Sequence, residues 1–172
     1  MIAKESPLSP APLSSAASPE HIALTRGRDD GHFHVEEVSP TTLIIPTFDR
    51  IEMLRECLET VAQQTQQPLE VIVVNDGGER KDALEQLSTR APLTVLHQEN
   101  KGKSAAVNAA LERAQGEFIW IVDDDDLVLP SALETLTRML QHAPEVGFAV
   151  GRHNRFRETS DGDREVFDTG YW

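Results

Sequence analysis

The chain has a single cysteine among its 172 residues, Cys57, so no disulfide can form within it. Basic residues are also scarce: 16 Lys and Arg stand against 29 Asp and Glu, a formal charge of −13. That deficit argues against non-specific binding to nucleic acid or to an anionic membrane surface, both of which need basic patches. No apolar run approaches membrane-spanning length, and the N-terminus lacks the apolar core of a signal peptide. Glycine-rich phosphate loops are missing too. G-x-G-x-x-G is absent, which disfavours a nicotinamide enzyme. Gly102-Lys103-Ser104 ends like a Walker A loop, but the glycine required five residues earlier is His97. The balance is that of a cytoplasmic protein of one domain, long enough to bury a real core.

The chain does have four consecutive aspartates, Asp123 to Asp126, directly after the apolar run Phe118-Ile119-Trp120-Ile121-Val122. Adjacent carboxylates raise the cost of ionising one another, so a fold keeps them where solvent or a cation balances the charge. A polar surface loop is the ordinary reading of such a run. This one ends a buried strand, where ligands bind in open α/β sheets. Hard divalent ions take one or two carboxylates together with phosphate oxygens, so the run points to a metal-bridged phosphate site.

Ser6 to Pro19 holds nine Ser or Pro in fourteen positions. Residues 1–38 are therefore expected to be a disordered Pro/Ser-rich leader. His32 and His34 in it have no partner cluster for a metal. Order is expected from about Thr41, with 39–172 as one domain that reads as C-terminally incomplete. Expected strands are Thr42–Ile45 (stopped by Pro46), Leu69–Val74, Leu93–Leu96, Phe118–Val122 and Val146–Val150. Helices are expected over about 50–64, 80–88, 104–114 and from Pro130. Strands alternating with helices through short loops predict a three-layer α/β sandwich with a mostly parallel sheet. Cys57 falls in the apolar pattern of the first helix, a core position. Ser160-Asp161-Gly162-Asp163 reads as a hairpin turn.

In such a sandwich three segments converge at the carboxyl ends of strands: Pro46-Thr47-Phe48-Asp49-Arg50, Asn75-Asp76-Gly77-Gly78 and the acidic run. Asp76 could accept hydrogen bonds from a base or ribose; on its own this stretch would more often be a plain Asx turn. Asn100 to Ser104 open a helix, and helix N-termini attract phosphate.

The order of these pieces resembles the nucleotide-binding half of glycosyltransferase family 2, inverting enzymes of the GT-A fold. The likeness spans about Thr42 to Arg152 and rests on "LIIPTFDR", "LEVIVVNDGG", "ENKGKSAAVNAALERAQGEFIWIVDDDDLVLP" and "HAPEVGFAVG" in that order. Asp49 stands where the family usually has Asn, Asn75 replaces a frequent Asp, and Gly78 a frequent Ser. The resemblance implies that Pro46, Thr47 and Asp49 line the base and ribose pocket and that Asp76 hydrogen-bonds the base, commonly uracil. It places Lys103 and Asn108 near a nucleotide-sugar donor, and makes Asp123 and Asp125 the D-x-D pair. Asp125 would contact Mn²⁺ or Mg²⁺ directly, with Asp123 as a second ligand and Asp123 or Asp124 near the ribose. A sugar would pass with inversion to an acceptor hydroxyl, a glycan, lipid or small molecule. The family's catalytic base lies later in sequence than this chain extends; Asp161, Asp163 and Asp168 are not singled out for that role. The alternative is a non-catalytic nucleotide-sugar-binding module. A nucleotidyltransferase would need an early glycine-rich loop, and a receiver domain paired acids after the first strand; neither is present.

Overall fold

The computed structural model describes residues 1–3, 22–26 and 33–170. Among these described residues, eight strands and four helices follow in the order β1 (Ile2–Ala3), β2 (Ile22–Arg26), β3 (Phe33–Thr47), α1 (Ile51–Ala62), β4 (Gln67–Asp76), α2 (Lys81–Glu85), β5 (Leu93–Gln98), α3 (Lys103–Leu111), β6 (Phe118–Ile121), α4 (Ala132–His142), β7 (His153–Glu158) and β8 (Arg164–Gly170). The central sheet runs β1-β6-β3-β4-β5, with β2 paired to β3 and β7-β8 forming a separate hairpin. Within it β6, β3, β4 and β5 are mutually parallel, and β1 is antiparallel at the edge.

Side chains alternate across a strand, and that alternation divides the core in two. Leu43, Ile45, Val71, Val73, Phe118 and Trp120 face α1 and α4, whose Leu54, Leu58, Val61, Leu133, Leu136 and Leu140 cover them. Ile44, Ile72, Val74 and Ile119 face the other way onto Ala106 and Ala110 of α3, small residues that let the helix lie close to the sheet. The three-layer sandwich with a mostly parallel sheet is therefore as expected. Val71 to Val74 are at most 1% exposed, so this strand is buried on both faces. Burying each such side chain contributes about 1.5–3 kcal/mol.

The chain passes from β3 outward to β4 and β5, then crosses back through α3 to β6 on the far side of β3. This reversal opens a crevice at the carboxyl ends of β3 and β6, the switch point where doubly wound sheets bind ligands.

Three expectations need correction. Val146–Val150 is no strand: only Phe148 makes a bridge, to Ile2. The edge of β6 is already taken by β1 (Ile2 opposite Ile119). Met1 and Ala149 exchange two hydrogen bonds, at 2.9 and 3.0 Å, so the segment runs beside β1 instead. Second, β3 does not stop at Pro46 but continues to Thr47, opposite Asn75. Its pairing with β6 ends at Ile44, and beyond that point a missing N–H is tolerated. Third, order begins before Thr41: β3 starts at Phe33 and pairs with β2, and Ser39 is fully buried. The rest of the expected leader, 4–21 and 27–32, lies outside the described residues. The 160–163 turn joins β7 to β8 as expected, with Gly162 at φ +83° and its N–H on the carbonyl of Thr159. Among the described residues no helix is long and apolar enough to cross a membrane.

Candidate functional site: an acidic crevice at the sheet switch point

Thr47 ends β3 almost fully buried and donates its hydroxyl to Asp124 Oδ2 at 2.7 Å. Arg50, immediately before α1, reaches the same carboxylate, with Nε 3.2 Å from Oδ2 and Nη2 2.6 Å from Oδ1. Its remaining nitrogen, Nη1, donates to Asp125 Oδ2 at 2.7 Å. Asp123 is paired with the ammonium of Lys103, the first residue of α3. Three of the four aspartates are thus paired with two cations from separate segments, which offsets two of their three charges. Asp126 instead closes the turn, its N–H on the carbonyl of Asp123 at 3.1 Å.

Burial pushes the Asp124 carboxyl up, against the opposing pull of the Thr47 hydroxyl and the Arg50 charge. Burial also raises Asp126, aided by the charges of Asp123 and Asp125. Beneath the run, the Cys57 thiol donates to the Asp123 carbonyl at 3.6 Å. Burial first, then the four aspartates, push this thiol up to about 12, so it is an inert core residue as expected.

The end of β4 splits its two polar residues between two tasks. Asn75 forms the turn: its Oδ1 accepts from Gly78 N and its Nδ2 donates to Gly78 O, both at 2.8 Å. The Asx turn considered for Asp76 therefore belongs to its neighbour. Asp76 points the other way, Oδ1 accepting from Gln98 Nε2 at 2.7 Å and Lys101 N at 2.8 Å, Oδ2 from Gly102 N at 2.8 Å. Burial alone would raise this carboxyl. The three donors outweigh it and hold the group below the usual carboxylate range. Asp76 thus fastens the loop that delivers Lys103 to the crevice. Gly77 permits the contact: at φ +90°, a side chain there would meet Asn100 N at 2.6 Å.

These groups meet in one open cleft of about 400 Å³, solvent included, lined by Pro46, Thr47, Phe48, Arg50, Asp76, Lys103 and Asp123. Five of the residues named from sequence are among them. Asp49 lies next door, in a small pocket with Thr47, Arg50, Asn75 and Arg80. At φ 52° it adopts the left-handed conformation that Asp tolerates, and its Oδ1 accepts from Glu79 N at 2.8 Å. Asn108 is exposed on α3 and does not line the cleft. Asp161, Asp163 and Asp168 belong to the β7–β8 hairpin and its turn and do not line the cleft.

Sequence reasoning gave no role to Arg50 or Gln98. For Arg50 a signal existed: it is the one cation in Pro46–Arg50, opposite four acids that require neutralising. Gln98 carried none.

Asp123 and Asp125 each offer a hard-oxygen carboxylate about half exposed, paired with Lys103 and Arg50 respectively, of the chemistry taken by an ion that uses one or two carboxylates plus phosphate oxygens. No group of three or more His, Cys, Asp or Glu could hold a metal among the described residues.

Residues 42–167 match the model of the family described as Glycosyl transferase family 2. Glycosyltransferase GlyG of Streptococcus pneumoniae is 37% identical over 135 residues, covering 75% of this chain and 44% of GlyG. The uncharacterized glycosyltransferase YwdF of Bacillus subtilis is 37% identical over 103 residues, 59% of this chain and 38% of YwdF. The chain therefore spans less than half the length of these relatives. Among solved structures, a Pyrobaculum calidifontis mannosyltransferase in complex with GDP-Man and Mn²⁺ superposes with TM-score 0.51 and 28% identity, covering 62% of this chain and 34% of that one. Staphylococcus aureus TarS 1-349 in complex with UDP-GlcNAc gives TM-score 0.55 and 26% identity, covering 60% and 32%. The GT-A type of fold is common to these neighbours and to the sandwich described above. By its matched span and this architecture, the chain belongs to glycosyl transferase family 2.

Proposed function

We propose that the chain is the donor-binding half of a cytoplasmic, metal-dependent inverting glycosyltransferase that takes a nucleoside-diphosphate sugar, UDP-sugar favoured, and passes the sugar to an acceptor hydroxyl. The observation that carries the reading is the convergence of Pro46, Thr47, Asp76, Lys103 and Asp123 on one cleft at the switch point of the sheet. Solved relatives that bind UDP-GlcNAc or GDP-Man with Mn²⁺ support the donor class.

In this reading Asp125 and Asp123 hold Mn²⁺ or Mg²⁺, which when bound offsets charge developing on the departing diphosphate. Lys103 and Arg50 add positive charge on the cleft wall. Pro46 and Thr47 line the base and ribose, with Asp49 in the pocket beside them. Asp76 acts on the donor through the loop it fastens and through its remaining acceptor capacity toward the base. Asn108 would serve the donor from the exposed side of α3.

One observation favours a second reading, a nucleotide-sugar-binding module without catalysis. The two carboxylates lining the cleft, Asp76 and Asp123, are both already engaged, which leaves no general base there among the described residues. Release of free UDP from UDP-sugars, measured with Mn²⁺ and a panel of glycan and lipid acceptors, decides between them. Acceptor-dependent release supports the enzyme. Tight donor binding without release supports the module.

A further inference from the structure

The guanidinium of Arg50 divides its donors between two carboxylates of very different exposure. Its Nε and Nη2 edge lies on Asp124, which is fully buried and has Thr47 as its other partner. Its Nη1 lies on Asp125, which is 45% exposed. The first contact is hard to give up, because breaking it leaves a buried charge with only a hydroxyl to satisfy it. The second is a half-exposed ion pair, the class worth least and exchanged most easily. Arg50 also lines the cleft alongside Lys103 and Asp123.

We propose that Arg50 is an exchange partner for Asp125: its anchored guanidinium caps the carboxylate when no divalent ion is present and leaves Nη1, unmoved, to donate to the donor diphosphate when the ion takes Asp125. This rests on the donor-site reading above. The fixed Nε and Nη2 edge keeps the guanidinium in place, so the change is one hydrogen-bond partner for another. Two consequences follow. Arg50 weakens binding of the ion alone, since the ion must displace Nη1. It also makes ion and nucleotide binding mutually favourable, because each completes the exchange that the other begins, and such coupling is reciprocal.

Arg50→Lys separates the two duties. One ammonium keeps the buried Asp124 charge paired but lacks the fork needed to hold Asp125 as well. Mn²⁺ binding is read from the electron paramagnetic resonance of free Mn²⁺, with and without UDP and GDP. Arg50→Lys is expected to bind Mn²⁺ alone about three- to fivefold tighter, the range set by an exposed pair. The factor by which the nucleotide tightens Mn²⁺ binding should fall to less than about a third of the wild-type value, as the loss of one such pair dictates. Wild-type binding with unchanged or weaker Mn²⁺ affinity in Arg50→Lys, or with undiminished coupling, overturns the exchange while sparing the donor site. A folded wild-type chain that binds neither Mn²⁺ nor nucleotide overturns both. Guanidinium ¹⁵N resonances of the wild type, followed as Mg²⁺ and UDP are added, give a test that does not depend on the variant folding. Movement of the Arg50 Nη1 signal supports the exchange, and an unmoved signal under demonstrated binding refutes it.

Discussion

Asp76→Ala is expected to lower stability by about 2–4 kcal/mol and to abolish detectable nucleotide binding. The carboxylate accepts from Gln98, Lys101 and Gly102, and bonds to a charged group contribute about 1.5–3 kcal/mol each before solvent screening. The lower total allows for water reaching the freed loop amides. Binding fails because the loop that places Lys103 opposite Asp123 loses its fastening. The same carboxyl makes a pH prediction. Its folded value lies below the ordinary 3.8, so its stabilisation is present above that pH and is lost as pH falls through the folded value. Asp76→Asn keeps the shape without the charge. Urea midpoints should show a wild-type advantage over Asp76→Asn at pH 6 that shrinks below pH 3.8. An advantage constant with pH would contradict the assignment.

Gly116→Ala is expected to cost about 3 kcal/mol, roughly 10 °C in melting temperature for a chain of this size. An added Cβ would stand 2.4 Å from Thr42 N and 2.9 Å from the Thr41 carbonyl carbon, backbone against backbone with no flexible group to yield. The contact also holds a buried junction: Gly116 N donates to Thr42 Oγ1 at 2.9 Å, and that hydroxyl donates to Glu70 Oε1 at 2.7 Å. The junction lies at the start of β6, the end of the strand opposite the cleft. Nucleotide affinity of the folded fraction should therefore be unchanged. Gly147→Ala, where nothing lies within 4 Å, is the control and should melt with the wild type. Equal melting temperatures for the two variants would refute the close-approach argument.

Local apolar patterning was enough to read most of the fold. Val71 to Val74 form a continuous apolar run because both faces are covered, and Leu54, Leu58 and Val61 recur at helical spacing because one face is. The ends of those strands then located the cleft. Val146–Val150 misled because an apolar run does not by itself make a strand: Val146, Phe148 and Val150 stay exposed, and the position at the edge of β6 was won by Ile2 and Ala3 from far away in sequence. Arg50 and Asp76 were half legible for the same reason. Residue type and position at a strand end mark them as site residues. Their partners lie 22 to 75 positions away, and only the chain's path through the sheet brings those together. Gly116, just past the helix expected over 104–114, carries no sign of its role in the sequence, because a close approach leaves no mark on composition.

At the centre of the proposed function is a divalent ion held by the acidic run for a nucleoside diphosphate. Isothermal titration of UDP, GDP and CDP into the wild type and Asp125→Ala, each with and without Mn²⁺, tests it most directly. One diphosphate is expected to bind the wild type only with Mn²⁺, and Asp125→Ala to weaken this at least about tenfold, a loss of ~1.4 kcal/mol or more. Binding indifferent to Mn²⁺ and to Asp125→Ala, or no binding by a folded wild-type chain, would contradict it.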